Sequence, residues 1–200
     1  MSKDLSKIIE ACQYLLNDYS EAQPCKEYLD KRLNKNSQEL FQFGYFPTID
    51  NIQVLISLVG EDLLRDNSLF YSREVEDSLY PRKVNFSFFE NHPLIMPYKD
   101  AYGNVVGIVG RSLLSDKERK FSKYKNTDFS KTKHLFGLYE NKKSVIENDS
   151  VFVVEGQFDT IKAVEKGFTN IVSLGGAGMS DYQFFIRSSG HFFHQPGFGQ

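Results

Sequence analysis

Two cysteines in 200 residues, Cys12 and Cys25, are too few for a disulfide framework, and no Cys-x-x-Cys pair starts a zinc ribbon. No zinc site is expected, and two lone thiols suit a reducing cytosol. An excess of one charge sign is also missing. Lys and Arg total 24 against 26 Asp and Glu, for a net charge of -2. No global basic field advertises nucleic acid, so any such surface must be local. The sequence has no stretch of about 18 apolar residues and no early apolar run of the signal-peptide kind. The expectation is a cytoplasmic chain with no membrane partner. Apolar content, at 40%, is low for a globular chain, yet an aromatic share of 14% argues for a real core and against disorder. The length fits one ordinary domain or two small ones.

What the sequence does carry is concentrated at Ser150-Val-Phe-Val-Val-Glu155-Gly156-Gln157-Phe158-Asp159. Val151 to Val154 are β-branched or aromatic and follow the polar run Glu147 to Ser150, the pattern of a short buried strand. Glu155 then ends the strand, Gly156 turns, and residues 157–166 read as a helix. Ligands of open α/β sheets bind at the carboxyl ends of strands. Asp159 lies one helical turn beyond Glu155, so both carboxylates can face one crevice. Two such acids suit Mg²⁺ (or Mn²⁺), which takes oxygen ligands and leaves room for substrate phosphates. The same pair also fits a plainer role, favouring the positive end of the helix dipole.

Val-Val-Glu-Gly-Gln-Phe-Asp resembles the first signature of the TOPRIM fold, Glu-Gly-x-x-Asp after an apolar strand. Gly167-Phe-Thr-Asn-Ile-Val-Ser-Leu-Gly175-Gly176 resembles the version found in bacterial DnaG-type primases. The resemblance to their polymerase core runs over residues 10–187 and is strongest over 94–180. It implies an α/β fold class: an α+β N-terminal subdomain at 1–147, a partial Rossmann-like TOPRIM domain at 148–188, and an atypical tail at 189–200. The implied function is RNA primer synthesis from nucleoside triphosphates on a single-stranded DNA template, with a replicative helicase as partner. Glu155 would be the catalytic, metal-associated carboxylate, with Asp159 in support.

Earlier segments fit the same picture. Apolar spacing from Leu5 to Tyr19 predicts a helix over 4–18, and a second is predicted over 24–34 with Pro24 in its first turn. Within it, Tyr28-Leu29-Asp30-Lys31-Arg32-Leu33 resembles a primase run whose Arg contacts nucleic acid, so Arg32 is a candidate; a solvated helix-surface Arg fits equally. Leu40 to Pro47 resembles a family turn, and helices are predicted at 48–58 and 61–66. The polar, aromatic stretch 72–91 reads as irregular. Strands are predicted at 94–98 and 105–111, joined through the turn signal Gly103-Asn104. Met96-Pro97 through Gly110-Arg111 resembles the primase run that ends in Gly-Arg. Two basic positions of that run are occupied here by Pro93, with His92 beside it, and by Ala101.

The stretch 115–133 interleaves seven Lys or Arg with Phe121, Tyr124 and Phe129. Basic groups attract phosphates and aromatic faces stack bases, although such a run also suits a solvated loop. Lys123-Tyr124-Lys125-Asn126, followed by Leu135-Phe136-Gly137-Leu138, resembles the primase Lys-Tyr-x-Asn and Leu-Tyr-Gly-Leu pair. The resemblance implies nucleic-acid or nucleotide contacts by Lys123, Lys125 and Asn126, and by Arg111 at the end of the Gly-Arg run. Gly175 and Gly176 join them in a glycine loop that lets backbone approach phosphate or metal. Ser180-Asp181 reads as the start of a helix over 181–188.

The second TOPRIM signature, Asp-x-Asp, is expected soon after that helix, yet residues 182–200 hold no Asp and no Glu. His191 and His194 have no visible third ligand. The expectation is a truncated, frame-shifted or split primase core of the kind a phage or mobile element encodes. Two other readings stay open: a single-strand-binding remnant without catalysis, and a TOPRIM nuclease.

Overall fold

The computed structural model describes residues 4–75, 82–176, 178–181 and 183. Two compact units emerge, each assembled from separated stretches of chain. One comprises 4–32, 42–97 and 107–127; the other comprises 33–41, 98–106 and 128 onward.

The first unit begins with helix α1 (Leu5–Asp18), whose buried face is Leu5, Ile8, Ile9, Cys12, Leu15 and Leu16. That is the apolar stripe the sequence predicts. Helix α2 (Gln23–Asp30) carries Pro24 in its first turn, where a missing N–H costs nothing. It stops short of the predicted 34. Asn34, which already belongs to the second unit, adopts an extended conformation and its side chain accepts a hydrogen bond from Ser37 N at 2.8 Å, starting a separate helix α3 (Lys35–Leu40). An Asn that caps competes with one that continues a helix, and here the cap wins. Helices α4 (Ile52–Val59) and α5 (Glu61–Asp66) lie within a residue or a few of their expected spans.

The predicted irregular stretch at 72–91 is corrected by the structure. Strands β2 (Phe70–Val75) and β3 (Arg82–Ser87) pair antiparallel from Phe70↔Ser87 to Val75↔Arg82. The Tyr71 and Phe86 rings stack at 5.6 Å, and Ser72 Oγ donates to Asn85 Oδ1 at 2.7 Å. Cross-strand pairs therefore hold a ribbon that lacks a continuous apolar face.

A four-stranded sheet has the order β1-β4-β5-β6, where β1 is Gly44–Tyr45, β4 Leu94–Lys99, β5 Val105–Arg111 and β6 Tyr124–Asn126. β4 and β5 match their predicted positions. Leu94, Ile95 and Met96 are wholly buried, as are Ile108 and Val109. The tip of this hairpin, 98–106, belongs to the second unit. There Asp100 Oδ1 accepts from Tyr102 N and Asn104 N, each at 2.9 Å.

The second unit is built on two parallel strands, β7 (Phe152–Val154) and β8 (Ile171–Ser173), joined through helix α7 (Gln157–Glu165). Phe136 pairs with Ser173 on the other side of β8. Helix α6 (Leu138–Glu147) buries Leu138, Asn141 and Val145, and Asn141 Nδ2 donates to Ile171 O at 2.6 Å. Leu135, Leu138 and Val172 form an apolar cluster with Val151, Val153 and Leu174. Lys99 and Glu140 make a buried ion pair at 3.0 Å. Among the described residues, no helix is long and apolar enough to cross a membrane. Of the predicted 181–188 helix, Asp181 and Gln183 are helical; the remainder, together with the tail, His191 and His194, lies outside the described residues.

Candidate nucleic-acid and nucleotide site

In the first unit the arginines predicted from sequence converge on one tyrosine. Arg111 ends β5 and is buried, with its guanidinium 5.1 Å from the Tyr28 ring centroid and 5.0 Å from that of Tyr124. It also donates to the Tyr124 hydroxyl. The pairing of β5 with β6 sets this geometry, because it places Arg111 directly opposite Tyr124. Arg32 lies one turn after Tyr28, 3.9 Å above the same ring, and is exposed. Two guanidiniums are thus gathered on one aromatic ring, Arg32 exposed and Arg111 buried.

Lys123 is exposed, and its charge reaches Asp116. That carboxyl is held below its ordinary value by a hydrogen bond from Arg119 and by the Arg119 charge, then by Lys123 and Arg111. Lys125 differs. Its ammonium donates to Phe88 O at 2.6 Å and lies 4.0 Å from the Phe88 ring centroid. Burial, with the charge of Arg73, pushes its pKa down.

Lys125 and Asn126 line a cavity of about 480 Å³ with Phe88, His92, Phe121 and Tyr124, the size of a small-ligand pocket. Asn126 Oδ1 is buried there without a hydrogen-bond partner among the described residues. A His92 ring nitrogen bonds Ser122 O at 2.8 Å, and the imidazole packs 5.1 Å from the Phe121 ring. Burial holds the His92 pKa below its ordinary value, which favours the neutral imidazole. A cation does stand beside His92, carried by β6 rather than by a residue just before β4. Sequence reasoning did not select Tyr28, Phe88 or His92. Tyr28 falls inside the quoted motif, four residues before Arg32, which was the available signal.

In the second unit Glu155 ends β7 and is exposed. The parallel ladder continues one step past the strand: Gly175 N donates to Glu155 O at 3.1 Å. Gly175 has φ +67°, and a Cβ there would stand 2.8 Å from Tyr98 Oη and 3.1 Å from Gln157 Nε2. Both the backbone and the space demand glycine. Lys131 Nζ donates to Gly175 O at 3.3 Å, and burial lowers its pKa. Lys131 belongs to the predicted basic run but was not singled out from sequence. Gly176 is exposed.

Asp159 is exposed in the first turn of α7, and its carboxylate lies over Gly156, where a Cβ would stand 2.5 Å from Oδ2. Placed there it favours the helix dipole, whether or not it also meets an ion. Glu155 and Asp159 offer oxygen donors of the type Mg²⁺ takes alongside water and phosphate. Among the described residues, no group of three His, Cys, Asp or Glu is gathered to hold a metal.

A family model described as the DNA primase catalytic core, N-terminal domain, matches residues 12–142. The DNA primase of Aquifex aeolicus (strain VF5) is 28% identical over 194 residues, which cover 94% of this chain and 37% of that protein. The solved Aquifex aeolicus primase structure, with its zinc-binding and RNA polymerase domains, is 26% identical with a TM-score of 0.69 and is covered over 45% of its chain. A DnaG primase catalytic domain bound to single-stranded DNA gives a TM-score of 0.69 at 22% identity, with 93% of this chain and 61% of that one covered. The chain thus spans little more than a third of the length of the curated relative, and its mixed helix-and-strand architecture is that of the primase catalytic core. With more than half of its residues matched by the family model, the chain belongs to the family of DNA primase catalytic cores through their N-terminal domain.

Proposed function

We propose that this chain holds template and nucleotide in a DnaG-type DNA primase, which makes RNA primers from nucleoside triphosphates on single-stranded DNA. The observation that carries this reading is Arg111 set between the Tyr28 and Tyr124 rings with Arg32 on the same Tyr28. Arg32 is exposed there and offers a phosphate its guanidinium, while the buried Arg111 fixes the two tyrosines around it. Lys123 adds an exposed cation, and Lys125 with Asn126 lines the neighbouring cavity.

Residues 148–188 open a TOPRIM domain in this reading, and 1–147 form the template-holding part. Glu155, with Asp159, holds Mg²⁺ or Mn²⁺, which would supply charge stabilisation for phosphoryl chemistry. Lys131 and the backbone around Gly175 and Gly176 receive phosphates. The DnaG domain solved with single-stranded DNA supports the template assignment by its fold. A replicative helicase is the expected protein partner.

A single-strand-binding role without catalysis is the second reading. Its support is that the exposed cations Arg32 and Lys123 bind a strand without a metal. One experiment separates the two. This chain is substituted for the matching segment of the Aquifex aeolicus primase, and primer synthesis and single-strand binding are measured in parallel. Primers from the chimera, abolished by Glu155→Gln with binding retained, are the expected outcome. Binding without primers would leave the non-catalytic role.

A further inference from the structure

Ser180 and Gln183 make a reciprocal pair at the start of the helix that holds Asp181 and Gln183. Gln183 N donates to Ser180 Oγ at 3.1 Å, and Ser180 N donates back to Gln183 Oε1 at 3.0 Å. This is a capping box, in which the residue at the cap and the one three later satisfy each other. Such a box uses only the oxygen of the Gln amide. Here the remaining amide nitrogen reaches further. Gln183 Nε2 donates to Lys131 O at 3.2 Å and to His134 O at 2.9 Å. Ser180 Oγ also donates to Thr132 O at 2.6 Å. The side chain of Gln183 is buried, at 2% exposure, so these bonds form away from competing water.

One amide therefore caps a helix with one atom and grips the turn at Lys131–Lys133 with the other. That turn carries Lys131, whose ammonium lies on Gly175 O beside the Glu155 backbone. A lysine side chain is long and has many rotamers, so the position of its backbone decides which acceptors its ammonium can reach. We propose that Gln183 is a positioning residue that clamps the Lys131 turn to the glycine loop and so holds the Lys131 ammonium at the end of β7. Its role in function rests on the reading of that strand end as a triphosphate site.

Gln183→Glu separates the two halves of the amide. It keeps an oxygen for Ser180 N and replaces the Nε2 donor by an acceptor that faces two carbonyls. The cap survives, both Nε2 bonds to the turn are lost, and only Ser180 Oγ to Thr132 O still ties the two segments. The first readout is the acylation rate of Lys131 by an amine-reactive reagent, followed by mass spectrometry, with exposed Lys143 as internal reference. Gln183→Glu is expected to speed Lys131 labelling about fivefold, the scale of one lost hydrogen-bonded constraint, with Lys143 unchanged. Unchanged Lys131 labelling overturns the clamp.

The second readout is binding of Mg²⁺-ATP and of inorganic tripolyphosphate. Gln183→Glu is expected to weaken both by about fivefold, and to add nothing once Lys131→Ala is present. An equal loss in both backgrounds overturns the proposal, because Gln183 would then act without Lys131. Faster labelling together with no triphosphate binding by the unaltered chain upholds the clamp and defeats the triphosphate reading instead. If Gln183→Glu loses its circular dichroism signal, Gln183→Met, which fills similar space without a donor, carries the same expectations.

Discussion

Lys123 and Lys125 occupy neighbouring positions of the same basic run, yet their chemistry differs. Lys123 is exposed, whereas the Lys125 ammonium is committed to Phe88 O at 2.6 Å. A part-buried carbonyl that loses a charged donor costs stability, and an ammonium tied to Phe88 O at 2.6 Å and packed on the Phe88 ring is less available to a phosphate. Lys125→Ala is therefore expected to lower unfolding free energy by roughly 1–2 kcal/mol in urea. Its single-strand affinity should keep the salt dependence of the unaltered chain, and a shallower dependence would contradict this assignment. The sequence shows that both residues are basic and that both sit in a primase-like run. It cannot show which one finds a carbonyl, because Phe88 is 37 residues away. Tyr28 was hidden for a related reason. Four residues before Arg32 it resembles any helix-face tyrosine, and its second guanidinium arrives from β5.

Elements whose burial is continuous could be read directly. β4 and β5 are apolar runs with a Gly-Asn turn between them, and α1 has a clean apolar stripe. α6 was not legible because its buried face includes Asn141, a polar residue that satisfies Ile171 O. β6 is three residues long and partly exposed, and its pairing with β5 rather than its own apolarity defines it. The β2–β3 ribbon buries only its Phe70–Ser87 end, so no alternation marks it. The break between α2 and α3 follows from one side chain, the Asn34 cap. Asn34→Ala should destabilise by about 1 kcal/mol in chemical denaturation, and Asn34→Asp by much less. Equal losses from both substitutions would mean that the cap is not what starts α3.

At the scale of the molecule, the compact units are knitted from distant stretches. Asn34 N donates to Glu165 Oε1 across 131 residues, and Tyr98 packs against Phe129 and Phe136. Long-range contacts of this kind leave no local trace, which is why the motifs were legible and the units were not. Charge follows the same logic. A net charge of -2 conceals a local pairing of Arg32 and Arg111 on Tyr28, with the exposed Lys123 next in sequence to Tyr124. A single-strand grip by these residues is the central claim, and the salt dependence of affinity tests it most directly. Fluorescence anisotropy of a labelled single-stranded oligonucleotide across a salt series should give a linear log-affinity plot. Arg111→Ala should weaken binding at every salt concentration. Lys123→Ala should make the slope shallower by about 0.7, the value for one phosphate contact on a single strand. Undiminished affinity in Arg111→Ala together with an unchanged slope in Lys123→Ala would contradict the account.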